Sequence, residues 1–140
     1  MASFKYKKIE RPGLPSSYCP VLPIKITGKG ELIETVALLD SGADVSAMPR
    51  GLAEILELDL SGEKTLVRGI GGASEAVKTN VEVIIQVDHE RMKINLPLFV
   101  ILDANIKFPF ILGREVFFSQ FEITFRENEH KISLKKLSRS

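Results

Sequence analysis

At 140 residues, with 44% hydrophobic and 26% charged residues and a formal net charge of +1, the chain has the profile of one water-soluble globular domain. Its nearly balanced charge gives no electrostatic pull toward nucleic acid, and no run approaches the roughly 18 to 20 apolar residues of a membrane span, so neither kind of partner is expected. Cys19 is the sole cysteine; an intrachain disulfide is excluded, and a reducing, cytoplasmic compartment is expected, in keeping with an N-terminus that lacks a signal-peptide-like apolar stretch.

Residues 1–17 carry Pro12, Gly13, Pro15, Ser16 and Ser17, residues that punctuate rather than pack, and are expected to form an arm entering a domain that spans 18–140. Its basic opening, Phe4 to Lys8, reads as solvated. Val21 to Thr27 and Glu31 to Leu39 are extended apolar runs, and Gly28-Lys29-Gly30 between them offers the positive φ of a tight hairpin. From Pro49 to Leu58 the period changes to three and four at Leu52, Ile55 and Leu56, which predicts a helix of two or three turns with Pro49 in its first turn. Val77 to Val87 and Met92 to Ile101 are strands joined through Asp88 to Arg91. Glu115 to Gln120 has room for one or two helical turns, and Glu122 to Arg126 with Lys131 to Leu137 reads as a closing hairpin. The expected architecture is mostly β, with no internal repeat.

Asp40 follows an apolar run, Val36 to Leu39, long enough to be a buried strand. An ionised carboxylate there needs a partner or a proton to offset the loss of water. Asp40-Ser41-Gly42 is compatible with an ordinary turn. It is equally compatible with a working site in which Asp40 handles a proton, the Ser41 hydroxyl braces the loop and Gly42 admits a ligand's backbone. Arg68-Gly69-Ile70-Gly71-Gly72 is either a plain flexible turn or a mobile hairpin able to lie across an extended peptide. Phe108 to Arg114 is an apolar strand ending in Gly-Arg and leading into the short helical stretch. His89 and His130 are far apart in sequence and read as solvated turn residues, so no metal site and no cofactor are expected.

In this order and spacing, Leu38 to Ala43, the Gly69–Gly72 hairpin and Ile111 to Arg114 resemble the retropepsins, the single-domain aspartic peptidases of retroviruses and their cellular and bacterial relatives. The resemblance covers roughly residues 20–137. It implies an all-β, closed β-barrel-like acid-protease fold with a flap hairpin and one or two short helices. It also implies that Asp40, Ser41 and Gly42 form the catalytic loop, with Ser41 linking two loops at a dimer axis. Ala43, Asp44, the flap residues Gly69, Ile70, Gly71 and Gly72, and Phe108 and Ile111 would meet a peptide substrate. Arg114 would brace the loop by pairing with Asp44. Glu115 after Gly-Arg, the longer segment 49–66 and the added C-terminal hairpin depart from the retroviral pattern and are closer to a cellular or bacterial-type relative. They leave open whether the termini interleave in a dimer as retroviral ones do.

Peptide hydrolysis of this kind needs one carboxyl group to take a proton from water and another to donate one. Two-lobed aspartic peptidases carry two Asp-[Ser/Thr]-Gly copies in one chain, but this chain carries one, so a homodimer is expected to supply the second Asp40 by symmetry. The expected activity is that of an aspartic endopeptidase. The competing expectation is a non-catalytic peptide-binding or dimerisation module on the same fold.

Overall fold

In the computed structural model, residues 1–11, 13–29, 31–69 and 72–137 are described; Pro12, Gly30 and residues 138–140, to which the expected arm, hairpin turn and domain boundary extend, lie outside them. Twelve strands and one α-helix are formed among the described residues. The strands are β1 (Ala2–Lys5), β2 (Lys7–Arg11), β3 (Leu14–Cys19), β4 (Val21–Thr27), β5 (Leu32–Leu39), β6 (Ser46–Pro49), β7 (Lys64–Gly69), β8 (Gly72–Val87), β9 (Glu90–Ile101), β10 (Phe110–Leu112), β11 (Phe121–Arg126) and β12 (Lys131–Lys136). The helix is α1 (Arg50–Ile55).

The main sheet runs β4-β5-β10-β6-β9-β8-β7, and a further antiparallel pairing of β4 with β8 closes six of these strands into a ring. Closure removes the edges that an open sheet would expose. The 16-residue β8 makes this possible: its first part pairs with β7, its long remainder with β9, and residues 82–84 with β4. Inside the ring, alternate residues such as Ile24, Ile26, Val81, Val83, Ile85, Leu96, Leu98 and Leu112 are buried, the period of two of strands that turn one face to a core.

The β8–β9 hairpin turns on two residues, Asp88 and His89, both at positive φ (51° and 66°). This is the mirror-image turn whose twist suits paired strands. At the β4–β5 connection, by contrast, Gly28 is not among the positive-φ glycines. Its requirement is space: a Cβ there would sit 2.1 Å from the carbonyl oxygen of Leu56, the same oxygen that accepts the Lys29 N–H. Glycine thus lets the hairpin touch the end of α1.

Helix α1 is shorter than the periodicity predicted. Pro49 has extended backbone (φ −70°, ψ 149°), ends β6 and caps the helix, and Glu57 at φ 55° stops it. Ala53 and Leu56 are fully buried, whereas Ile55, counted in the apolar stripe, is 59% exposed. After Gly113, hydrogen-bonded turns lead into a single 3-10 turn (Phe118–Gln120), the shorter of the one or two helical turns expected, and Val116 before it takes φ 68°. That left-handed step orients Phe117, fully buried, against Phe121, with ring centroids 5.1 Å apart.

Most of the described residues of 1–17, expected as an arm, lie in paired strands. β1 joins β12 in an antiparallel three-stranded sheet ordered β1-β12-β11, with Ala2 and Phe4 packed against the core. β2 and β3 form a separate two-stranded ribbon. The basic opening is solvated at Lys5, Lys7 and Lys8, but Tyr6 among them is buried.

Candidate active site

The site is built where β5 ends. Leu38 pairs with Val21 of β4 on one side, and Leu38 and Leu39 pair in parallel with Ile111 and Leu112 of β10 on the other. The Leu39 N–H donates to Pro20 O at 2.9 Å and the Asp40 N–H to Leu112 O at 3.0 Å. Asp40 is therefore held by backbone at the rim of the buried ring. It is half-buried itself, while Ser41 and Gly42 are exposed.

The loop then folds back on the carboxylate. Gly42 N–H donates to Asp40 Oδ1 at 2.9 Å, and Ala43 N–H to Asp40 O at 3.2 Å. One carboxylate oxygen is thereby fixed, and among the described residues the other makes no hydrogen bond. The turn reading and the working-site reading of Asp40-Ser41-Gly42 describe the same geometry: the Asx turn sets the direction of the carboxylate.

Gly113 locks the next layer. A Cβ on it would lie 2.6 Å from both C and O of Val45 and 2.9 Å from Ala43 O, so only glycine allows the 113–115 segment to lie on the loop. In that close approach Arg114 N–H donates to Ala43 O and Glu115 N–H to Asp44 O, each at 2.9 Å, and the buried Ser46 Oγ accepts the Gly113 N–H at 2.9 Å. The Arg114 guanidinium contacts the Asp44 carboxylate, as the motif pairing predicted. Both side chains are largely exposed, so water screens the pair and its own stabilisation is at most about 1 kcal/mol; the backbone bonds carry the loop.

Beside the loop runs a groove of about 690 Å³. Gly42, Ala43, Asp44, Phe108 and Ile111 line one part and Gly69 and Gly72 of the β7–β8 hairpin another. The structure thus brings together seven residues singled out in sequence. Asp40, Ser41 and Arg114 are not among the lining residues; Asp40 stands next to Ser41 and Gly42 at the groove's margin. Ile70 and Gly71, the expected flap tip, lie outside the described residues; the flanking Gly69 and Gly72 are paired with each other. Val45, Val67, Phe99 and Ile106 also line the groove and were not anticipated. Val67 was within reach of sequence reasoning, since it lies two residues before Gly69 and so on the same strand face. Ile106 sits in a loop without periodicity, and nothing in the sequence marks it.

An all-β ring with an Asp-Ser-Gly loop at its rim and a hairpin beside the groove defines the class of acid-protease domains. A family model described as "Aspartyl protease" matches residues 22–116, more than half of the chain. Among solved structures, the EIAV protease complexed with the inhibitor HBY-793 is 25% identical, with 72% of this chain and 86% of that chain covered and a TM-score of 0.49. No curated protein matches. The chain belongs to the aspartyl protease family.

Proposed function

We propose that the chain is an aspartic endopeptidase that works as a homodimer, Asp40 and its symmetry mate activating a water molecule between them. The observation that carries this reading is the Asp40 carboxylate itself. It is anchored at the end of β5, with one oxygen tied to Gly42 N–H and the other making no hydrogen bond among the described residues, at the margin of a groove lined in part by Gly69 and Gly72. A lone carboxylate of this kind can take a proton but cannot both take and give one in the same step, so the chemistry calls for a second copy.

Two unit charges about 4 Å apart at an effective dielectric near 20 repel by roughly 4 kcal/mol. The pair therefore keeps one proton over a range of mildly acidic pH, the behaviour established for aspartic-peptidase dyads, and titrates as a unit. The ionised partner draws a proton from water as the water's oxygen attacks the scissile carbonyl carbon. The protonated partner supports the developing oxyanion, and a proton then reaches the leaving amine as the C–N bond breaks. Ser41 would brace the paired loops, and Arg114 would hold the loop through Asp44. In this reading the backbone of Ala43, Asp44 and the flap residues Gly69 to Gly72 meets the substrate backbone, and Phe108 and Ile111 form side-chain pockets.

The test compares purified protein with Asp40→Asn on a diverse peptide library at pH 4 to 7, products being read by mass spectrometry. Cleavage by the parent alone is expected, with a loss of at least about a thousandfold in the variant. Equal cleavage by both would remove Asp40 from the mechanism, and no cleavage by either would favour a binding or dimerisation module.

A further inference from the structure

Leu102, the first residue after β9, is a junction from which two walls of the groove depart. Its N–H donates to Glu75 O of β8 at 3.0 Å. Beyond Glu75, β8 leaves β9: the last pair is Ala76 with Ile101, and residues 72–75 pair only with β7, itself the outer strand of the sheet. Among the described residues, the Leu102–Glu75 bond is therefore the outermost hydrogen-bonded tie between the β7–β8 hairpin and the rest of the molecule. Burial changes at the same point: Ala76 and Val77 are fully buried, whereas Gly72, Ala73 and Glu75 are exposed. In the other direction the chain runs from Leu102 into a loop shaped by Asp103, whose O accepts the Ile106 N–H at 3.1 Å and whose Oδ1 accepts the Asn105 N–H at 2.9 Å. The hairpin supplies Val67, Gly69, Gly72 and Ser74 to the groove, and the loop supplies Ile106 and Phe108.

Arg50 holds this junction from α1. Its Nη1 donates to Leu102 O at 3.0 Å and its Nε to Glu54 Oε1 at 2.8 Å. The helix gains little from an arginine here. As its first residue, Arg50 sets a cation at the positive end of the helix dipole, and Arg four residues before Glu is the less favourable order for a helical ion pair. That pair is also 42% and 58% exposed, so water screens it. The contact that local structure does not account for is the Leu102 carbonyl, 52 positions away. A cleft of about 430 Å³, lined by Arg50, Leu102 and Asp103 and by Lys64, Ser74 and Glu75, lies at the base of the hairpin. Close packing does not fix the hairpin there, and the bonds at Leu102 do.

We infer that Arg50 is a positioning residue for the groove: by holding the Leu102 carbonyl it sets the distance between the β7–β8 hairpin and the loop of residues 103–108, and with it the width open to a bound peptide. The inference rests on the peptidase reading only for its effect on cleavage; the seat of the hairpin is a property of the folded chain. A bond from a charged donor is roughly twice as strong as a neutral one, so its loss loosens Leu102 and the N–H that ties Glu75. Peptide then binds only the fraction of molecules whose walls stand at the right distance, and its apparent dissociation constant rises in proportion. Asp40, Ser41 and Gly42 are not in this chain of contacts, so the chemical step is spared.

Two variants of the full chain test this, Arg50→Met and, as the comparison, Glu54→Gln, which removes the ion pair on α1 and keeps the Leu102 contact. Amide hydrogen exchange followed by NMR reads the Leu102 N–H. In Arg50→Met it is expected to exchange about tenfold faster than in the parent, while the amides of β9 within the ring keep their rates. On a cleaved peptide, KM is expected to rise about three- to tenfold with kcat changed less than about twofold. Glu54→Gln is expected to match the parent in both measurements. Unchanged Leu102 exchange and KM in Arg50→Met would overturn the assignment, and so would equal effects of the two variants, which would make Arg50 a support of α1 alone. A parent that cleaves no peptide would remove the peptidase reading, and the exchange comparison would still decide whether Arg50 seats the hairpin.

Discussion

Ser46 supports the candidate site from below, through one hydroxyl. It is one of two buried polar residues among those described, and its Oγ accepts the N–H of Gly113, whose segment in turn holds Ala43 and Asp44 by backbone bonds. Replacing it with alanine leaves that N–H buried without a partner, which costs about 1–3 kcal/mol. Ser46→Ala is accordingly expected to lower the unfolding free energy by that amount in urea titrations. It should also reduce kcat more than it raises KM, because the loop carrying Asp40 is loosened while the groove walls remain. Nothing in the local pattern Val45-Ser46-Ala47-Met48 marks this serine. Only the fold brings it against residue 113, 67 positions later.

Among the elements, the junction of β1 and β2 with the β11–β12 turn has its own pH dependence. Tyr6 is 6% exposed, its N–H donates to His130 O at 2.7 Å, and its hydroxyl donates to Glu127 Oε1 at 3.3 Å. Burial, and then the charge and hydrogen bond of Glu127, raise the phenol's pKa above its ordinary 10.0. An acid whose pKa is raised on folding stabilises the folded state fully below the unfolded value. That contribution is lost as pH rises through the folded value, because the unfolded chain ionises first. Unfolding free energy is therefore expected to fall above about pH 10, and Tyr6→Phe to flatten that decline. Denaturant titrations at pH 9, 10 and 11 measure it, and an identical slope in the variant would mean that another group titrates there.

For the whole molecule, the proposed dyad ties activity to both pH and concentration. In that proposal the singly protonated pair is the working form, so the rate is expected to peak below neutrality and to fall at alkaline pH. A rate still rising through pH 9 would contradict the mechanism. In that proposal a second chain completes the site, so activity per chain is also expected to fall on dilution below the dimer dissociation constant. Stopped assays at serial dilution read this directly, and constant activity per chain far below that constant would count against a shared site.

The sequence alone determined the β character and the positions of the long strands, which rest on local properties: strand periodicity and turn chemistry. The grouping of Asp40, the Gly69–Gly72 segment and Ile111–Arg114 came from the family resemblance; among the described residues, Gly69, Gly72 and Ile111 line one groove with Gly42, Ala43 and Asp44. Sequence reading misjudged what depends on neighbours distant in the chain. Residues 1–17 have a loop-like composition, yet β1 pairs with β12 and Tyr6 is buried, because the strand to which they bind comes more than 120 residues later. Ile55 continues a helical stripe but faces solvent, since α1 stops at the left-handed Glu57 and packs only through its opposite side. The tertiary structure also decided the closure of the ring through β4 and β8, the need for glycine at 28 and 113, and the groove's unforeseen wall. Each is a matter of which surfaces meet, and a linear pattern fixes which faces are apolar without fixing what will cover them.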